Sequence, residues 1–452
     1  MEKNLTTGSV YKNVILFSLP YLLSYFLQTL YGMADLFIIG QFEGVAGTTA
    51  VSIGSQVMHM LTVMIVGLAM GTTVSIGQAI GAGDRRKAAK AVGNTVTLFM
   101  AVSVALMAVL LVLVHPIISA MSTPTEAVGG TAAYLTICFI GIPFITAYNI
   151  ISSIFRGMGD SKTPMYFIAI ACAANIGLDY LFMGAFRLGP AGAALGTTLS
   201  QAISVAVSLA VILKRKGIAL KKDDFKPDRS VMGRILQIGV PITFQDGLIQ
   251  IAFIVITIIA NQRGLNDAAA VGIVEKVMSF LFLVPSSMLS TVSALGAQNI
   301  GAGKPERAIQ TLRYAILIAV GFGILASITI QFTAEPIVAM FTDGTTADGT
   351  KVVRFGGQYL RGYIFDCIFA GIHFSFSGYF CACGKSGLSF LHNILAIVLV
   401  RIPGVYLASQ LFPSTLFPMG LATATGSLLS VVICVIAFAV IRRKERKTVL
   451  GG

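Results

Sequence analysis

Apolar residues run along this chain in long blocks, and twelve of the blocks approach or exceed the ~20 residues that a helix needs to cross ~30 Å of hydrocarbon. They cover approximately residues 14–40, 51–77, 93–115, 131–154, 164–186, 190–213, 235–260, 270–295, 312–332, 357–381, 388–412 and 417–441. Polar and charged residues collect between them. The pattern predicts an all-α integral membrane protein with twelve transmembrane helices, six in each half of the chain.

Two of the polar breaks are written alike. Gln78-Ala79-Ile80-Gly81-Ala82-Gly83 and Gln298-Asn299-Ile300-Gly301-Ala302-Gly303 lie 220 positions apart. The same offset pairs Gly44 with Gly264, Ala50-Val51 with Ala270-Val271, and Ala88 with Ala308. Later matches, Tyr134-Leu135 with Tyr359-Leu360 and Pro190 with Pro418, raise the offset to 225 and then 228. Self-similarity held over that distance marks two copies of one unit. Each copy has an even number of spans, so both enter the membrane from the same side. The copies are then parallel repeats related by an axis along the membrane normal, around a central cleft. The expected organisation is an N-terminal six-helix lobe over 1–213, a basic cytoplasmic linker over 214–234, a C-terminal six-helix lobe over 235–441 and a basic cytoplasmic tail over 442–452.

Composition agrees with bilayer as the solvent: 56% of residues are hydrophobic, only 11% are charged, and mean hydropathy is +0.85. Soluble domains carry roughly 25% charged residues. The net charge of +13 is laid out asymmetrically. With the N-terminus in the cytoplasm, the tails, linker and even-numbered loops hold 25 of the 32 Lys and Arg residues, counting Arg313 at the margin of the ninth block. The odd loops hold four, Arg187, Arg263, Lys351 and Arg354. This positive-inside distribution predicts a multi-pass protein of the plasma (inner) membrane with both termini cytoplasmic. Membrane lipid, and no nucleic acid, is the partner expected for the basic segments. The first block contains Pro20, Gln28 and Asp35 and is full length, so it reads as a retained helix and not a cleaved signal.

Several chemistries are disfavoured. Gly384-Lys385-Ser386 resembles the end of a phosphate-binding loop, but the position five residues before Gly384 is Tyr379 where a glycine is required. The segment 156–162 occupies the equivalent place in the first half, which makes both tight turns. The histidines, at 59, 115, 373 and 392, are scattered, and the six cysteines lie in or beside apolar blocks without zinc spacing. No enzyme and no cofactor are expected.

Ionisable residues inside the blocks are the informative ones, because each costs ~2.5–3.5 kcal/mol or more at a helix centre. The first half has Asp35 and Asp179; the second has Asp246, Glu275, Lys276, Arg361, Asp366 and Arg401. Asn175 and Asp179 are one helical turn apart on one face, so the amide can brace the carboxylate in either protonation state. A carboxyl held away from bulk water in this way can exchange protons near neutral pH, as gradient coupling requires. The competing reading places Asp179 at the membrane surface, paired with Arg187. In the second half, structural ion pairing ranks slightly ahead of a second coupling site, for which Asp366 is the best candidate.

Taken together, these residues resemble the multidrug and toxic compound extrusion (MATE) family, and within it the prokaryotic DinF-like members. The resemblance rests on the paired six-helix copies, the Gly-Ala-Gly loops at Gly81 and Gly301 and the acid in the first span, and it covers essentially the whole chain. It implies that Asp35 and Asp179 bind a coupling ion, H+ or Na+, with Asn175, Tyr134 and Thr197 as hydrogen-bonding partners. Sodium, if it is the ion, would sit at Asp35, Asp179 and Asn175. The NorM-like branch also uses acids in spans seven and ten. Asp366 matches the latter, while span seven offers Asp246 and Gln250 in place of that branch's glutamate. The implied function is secondary active efflux of small, amphipathic, lipophilic organic cations by a monomer working through alternating access. A flippase for lipid-linked precursors, from the same superfamily, is the alternative. It would be expected to line its cleft with several cations, and only Arg361 and Arg401 lie within the predicted spans.

Overall fold

The computed structural model describes residues 4–214, 220–342 and 346–450. Residues 215–219 of the predicted linker and 451–452 of the predicted tail lie outside the described residues. Among the described residues there are seventeen α-helices and no strand. The first half contains α1 (Val10–Phe42), α2 (Val45–Gly81), α3 (Arg85–Val112), α4 (Val114–Ala120), α5 (Thr125–Ile140), α6 (Ile142–Gly157), α7 (Lys162–Asp179) and α8 (Gly189–Lys214). The second contains α9 (Arg229–Arg263), α10 (Leu265–Leu281), α11 (Leu283–Gly301), α12 (Pro305–Ala339), α13 (Ala347–Tyr363), α14 (Asp366–Ala382), α15 (Ser386–Ala396), α16 (Ile402–Leu411) and α17 (Phe417–Leu450). Short π-helical turns, Tyr180–Ala185 and Ile397–Arg401, continue α7 and α15.

Among the described residues, ten helical segments are long and apolar enough to span a membrane, and two bent pairs, α5 with α6 at 48° and α13 with α14 at 41°, each counted as one span, bring the total to twelve. Each predicted block falls on one of these spans. The α5–α6 bend has a local cause: Pro143 has no N–H to donate, and Gly141 leaves room for α8, since a Cβ there would lie 2.7 Å from Thr198 Oγ1.

The chain divides into two compact units. One comprises the residues through Ser9, Ile15–Thr243 and Ala297–Lys304; the other comprises Val10–Val14, Phe244–Gly296 and the chain from Pro305 onward. The division therefore falls within α9, and the described part of the 214–234 segment belongs to the first unit. Each unit has its own core. Val51, Tyr134 and Leu135 in the first and their repeat partners Val271, Tyr359 and Leu360 in the second are all at most 2% exposed.

The repeated loops are built identically. The N–H groups of Ala82, Gly83 and Asp84 donate to the carbonyls of Gln78, Ile80 and Ala79, and those of Ala302, Gly303 and Lys304 donate to Gln298, Ile300 and Asn299. Gly83 and Gly303 adopt φ of +73° and +70°, as the left-handed closing residue of this helix cap requires. Gly159 and Gly384 close α6 and α14 in the same way, at +86° and +70°. Gly384-Lys385 is thus a helix cap. In the first unit the two repeat loops also meet face to face. A Cβ on Gly81 would overlap the Gln298 carbonyl oxygen, and a Cβ on Gly301 would overlap that of Gln78.

The segment after α8 is strapped onto α3. Asn94 Nδ2 donates to the Asp224 carbonyl at 3.0 Å, Asn94 Oδ1 accepts from Asp228 N–H at 2.8 Å, and Thr97 Oγ1 donates to the Phe225 carbonyl at 2.8 Å. Arg86 pairs with the buried Asp224 at 2.7 Å and Lys90 with Asp228 at 2.8 Å.

Two outcomes follow from these contacts. Gly81→Leu and Gly301→Leu force a side chain into a neighbouring carbonyl and should each destabilise by roughly 1–3 kcal/mol. Gly83→Ala meets only an unfavourable φ with open space around it, and should cost about 1 kcal/mol. Thermal unfolding in detergent, followed by a dye that reacts with newly exposed thiols, checks the order, because five of the six cysteines are buried. The Lys90 ammonium and the N–H groups of Val231 and Ser230 hold the Asp228 carboxyl below its usual range. A depressed carboxylate stabilises above its unfolded-state value and loses that contribution as pH falls through the folded one. Protease cleavage of the strap should therefore accelerate below about pH 4, and Asp228→Asn should weaken that pH dependence while leaving the share carried by the Arg86–Asp224 pair.

Candidate functional site

The first unit brings its two acids into contact. Asp35, late on α1, is 2% exposed, and Asp179, the last residue of α7, is fully buried. Each carboxyl lies beside the other, with the buried Asn175 amide one turn before Asp179 flanking both. From α8, Thr197 Oγ1 donates to Asp35 Oδ2 at 3.1 Å. Tyr134 of α5 stands near Asp35 and beside Cys138, with its ring packed where Gly54 of α2 lacks a side chain. Arg187, the alternative partner for Asp179, is exposed beyond the π turn.

Two participants have no place in the sequence reading. Tyr31, one turn before Asp35, donates its hydroxyl to the Thr197 carbonyl at 3.4 Å, a neighbour that four-residue spacing on α1 could have revealed. Gly196 lets Asp179 approach α8, since a Cβ there would overlap Asp179 Oδ1. No sequence signal marks that contact. Asp179 also directly precedes the Tyr180–Ala185 π turn, a distortion that often accompanies functional sites.

Hydrogen bonding is incomplete here. Asp35 Oδ1, both Asp179 oxygens and both polar atoms of Asn175 are buried with no hydrogen-bond partner. Among the described residues, no basic side chain is paired with either acid. Two carboxylates in contact away from water cannot both carry charge without a compensating cation. Four unpartnered oxygens belong to this cluster, from Asp35, Asp179 and Asn175, and oxygen donors of this kind suit a hard monovalent ion or protons, unlike the nitrogen and sulfur set of a transition metal.

In the second unit Asp366 answers the same constraint with an ion pair. Arg401 Nη2 lies 2.6 Å from Asp366 Oδ2 and 2.9 Å from Ser427 Oγ. Asp366 begins α14, at the break of the bent pair. Tyr359 Oη donates to Glu275 at 3.4 Å, and Arg361 pairs with the half-exposed Glu335 at 3.0 Å. Asp246 and Gln250 lie part-buried on α9, where Asp246 neighbours Gln245, itself bonded to Ser389 at 2.6 Å. Asp366 is thus held by Arg401 and Ser427, apart from Asp246 and Gln250. A cavity of about 320 Å³ lies elsewhere in the first unit, by the Gly81 loop, Arg85, Gln298 and the segment around Asn4 and Thr6.

Known proteins share this architecture. The MatE family model matches residues 20–181 and 241–407, once in each half. The chain is 28% identical over 421 residues to the probable multidrug resistance protein YpnP of Bacillus subtilis (strain 168), covering 93% of this chain and 92% of that protein. It is 30% identical over 342 residues to the probable multidrug resistance protein YoeA of the same organism, covering 74% of each. Among solved structures, the outward-facing conformation of a multidrug resistance MATE family transporter superposes with a TM-score of 0.89 at 21% identity, covering 97% of this chain and 98% of that one.

Arg401→Ala leaves Asp366 buried and unpaired, and should destabilise by about 3–5 kcal/mol, whereas Asp366→Leu combined with Arg401→Met should lose much less. The thiol-exposure melt described above distinguishes these two results.

Proposed function

The chain belongs to the MatE family of multidrug transporters, and from that premise we propose that it is a secondary active exporter that exchanges protons or sodium for lipophilic organic cations. The observation that carries this reading is the contact between Asp35 and Asp179 with no basic partner, flanked by Asn175 and with Thr197 donating to Asp35. When the acids are neutralised by protons or a bound cation, the α1, α7 and α8 faces can close over them. When both are charged and empty, the site must hydrate or admit a cation. Ion occupancy thereby selects between packed and open forms of the first lobe, which is the requirement for alternating access. One charge moved across the membrane is worth about 2.3 kcal/mol per 100 mV.

The chain is a multi-pass membrane protein, and its Lys and Arg asymmetry supports an inner-membrane orientation with both termini cytoplasmic. Of the cations the flippase alternative would use, Arg361 is engaged by Glu335 and Arg401 by Asp366, so the second lobe supplies it with no unpaired guanidinium at these positions.

Proteoliposomes loaded with a fluorescent cationic dye should expel it under an imposed proton or sodium gradient. Asp35→Asn and Asp179→Asn should each slow gradient-driven efflux at least tenfold. Undiminished efflux in both variants would remove the coupling role, and dye movement indifferent to either gradient would redirect the search to lipid substrates.

A further inference from the structure

The first unit holds a second polar cluster, distinct from Asp35 and Asp179. Tyr148, Ser152 and Arg156 recur every four residues and so line one face of α6. All three are buried, with exposures of 2%, 0% and 7%. The Arg156 guanidinium sits over the Tyr21 ring of α1, 4.0 Å from its centroid, and Tyr148 stands close to both Arg156 and the Ser152 hydroxyl. The polar groups beside the Arg156 guanidinium are the neutral hydroxyls of Tyr21, Tyr148 and Tyr25, and among the described residues no carboxylate is paired with it. Tyr148 Oη and Ser152 Oγ are both buried without a hydrogen-bond partner.

This arrangement differs from that of three arginines of the second unit. Arg263 is paired with Asp267, Arg361 with Glu335 and Arg401 with Asp366. A buried charge calls for a counter-charge, and an aromatic face supplies only part of one. A guanidinium presents five N–H donors in a planar fork that matches two oxygens of a phosphate or carboxylate. The Tyr148 and Ser152 hydroxyls on the same face add two further donors.

We propose that the Tyr148, Ser152 and Arg156 face, backed by Tyr21, binds the oxyanion, phosphate or carboxylate, of an amphiphilic ligand. Oxyanion binding here adds an anionic group to the ligand class of the proposed exporter, and rests on that reading only for how the ligand arrives.

The test is equilibrium binding to the purified full chain in an uncharged detergent, using a fluorophore-tagged alkyl phosphate and the matching alkyl trimethylammonium. Arg156→Gln should weaken the phosphate probe at least tenfold, Arg156→Lys less, and Tyr148→Phe combined with Ser152→Ala severalfold. The trimethylammonium probe should bind all of these variants alike. Displacement by phenyl phosphate would identify a soluble organic phosphate as the source, and displacement by phosphatidic acid alone a lipid headgroup; either result supports the site. Absence of saturable phosphate binding by the unaltered chain would overturn it, as would full binding by Arg156→Gln. Should Arg156→Gln not remain monodisperse, the hydroxyl double variant decides by the same criterion. Ion-driven dye efflux measured in parallel keeps the outcomes separate: efflux without phosphate binding rejects this site alone, and phosphate binding without efflux rejects the export reading alone.

Discussion

Hydrocarbon does not solvate charge, and that constraint organises every polar contact in this bundle. A carboxyl or guanidinium placed in a span must find an opposite charge, a complete set of hydrogen bonds, or a mobile ion. Asp366 takes the first course, through Arg401, which also donates to Ser427 Oγ. Asp35 and Asp179 take neither of the first two, since three of their four carboxyl oxygens are buried without a partner. The acid pair therefore lacks the compensation that Asp366 has. Backbone geometry serves it: Gly196 admits the Asp179 carboxyl to the surface of α8, and the π turn after Asp179 changes the register of the chain that follows.

Duplication supplied two scaffolds of one design, and the chemistry then diverged. Tyr134 and Tyr359 occupy repeat-related core positions, yet Tyr134 neighbours a pair of unpaired acids while Tyr359 meets Glu275 in the field of Arg401. In the first unit the carboxyl pair draws on α1, α7 and α8; in the second the ion pair draws on α14, the π turn after α15, and α17. One unit thus pairs its buried Asp366 with an arginine, while the other leaves two acids in contact without a basic partner.

What could be read from the sequence follows from how local each signal is. Spans are set by apolar length and the repeat by fixed offsets, so both were legible, including the tight turn at Gly384 that mimics a phosphate loop. The acids stood out because charge in an apolar block is rare. Tyr31 was within reach of the same four-residue rule that linked Asn175 to Asp179. Gly196 was not, since its meaning depends on which helix approaches it. Arg156 read as part of a turn because it follows the last apolar residues of its block; only the packing of α1 against α6 places it over Tyr21. The 214–234 segment looked like a plain basic linker, and its docking through Asn94 and Thr97 depends on polar positions of α3 that carry no periodic signature.

The reciprocal closure of the Gly81 and Gly301 loops has a consequence in time. The loop from Ala297 to Lys304 belongs to the first unit although it is encoded deep in the second half. During synthesis the first six spans can enter the membrane and gather, but Gly81 has no carbonyl to rest against, and Gly157 no Gln298 amide to accept from, until the chain has grown through α11. The N-terminal bundle is therefore an unfinished assembly for most of translation, and its last packing surface arrives from the copy of itself that is made second.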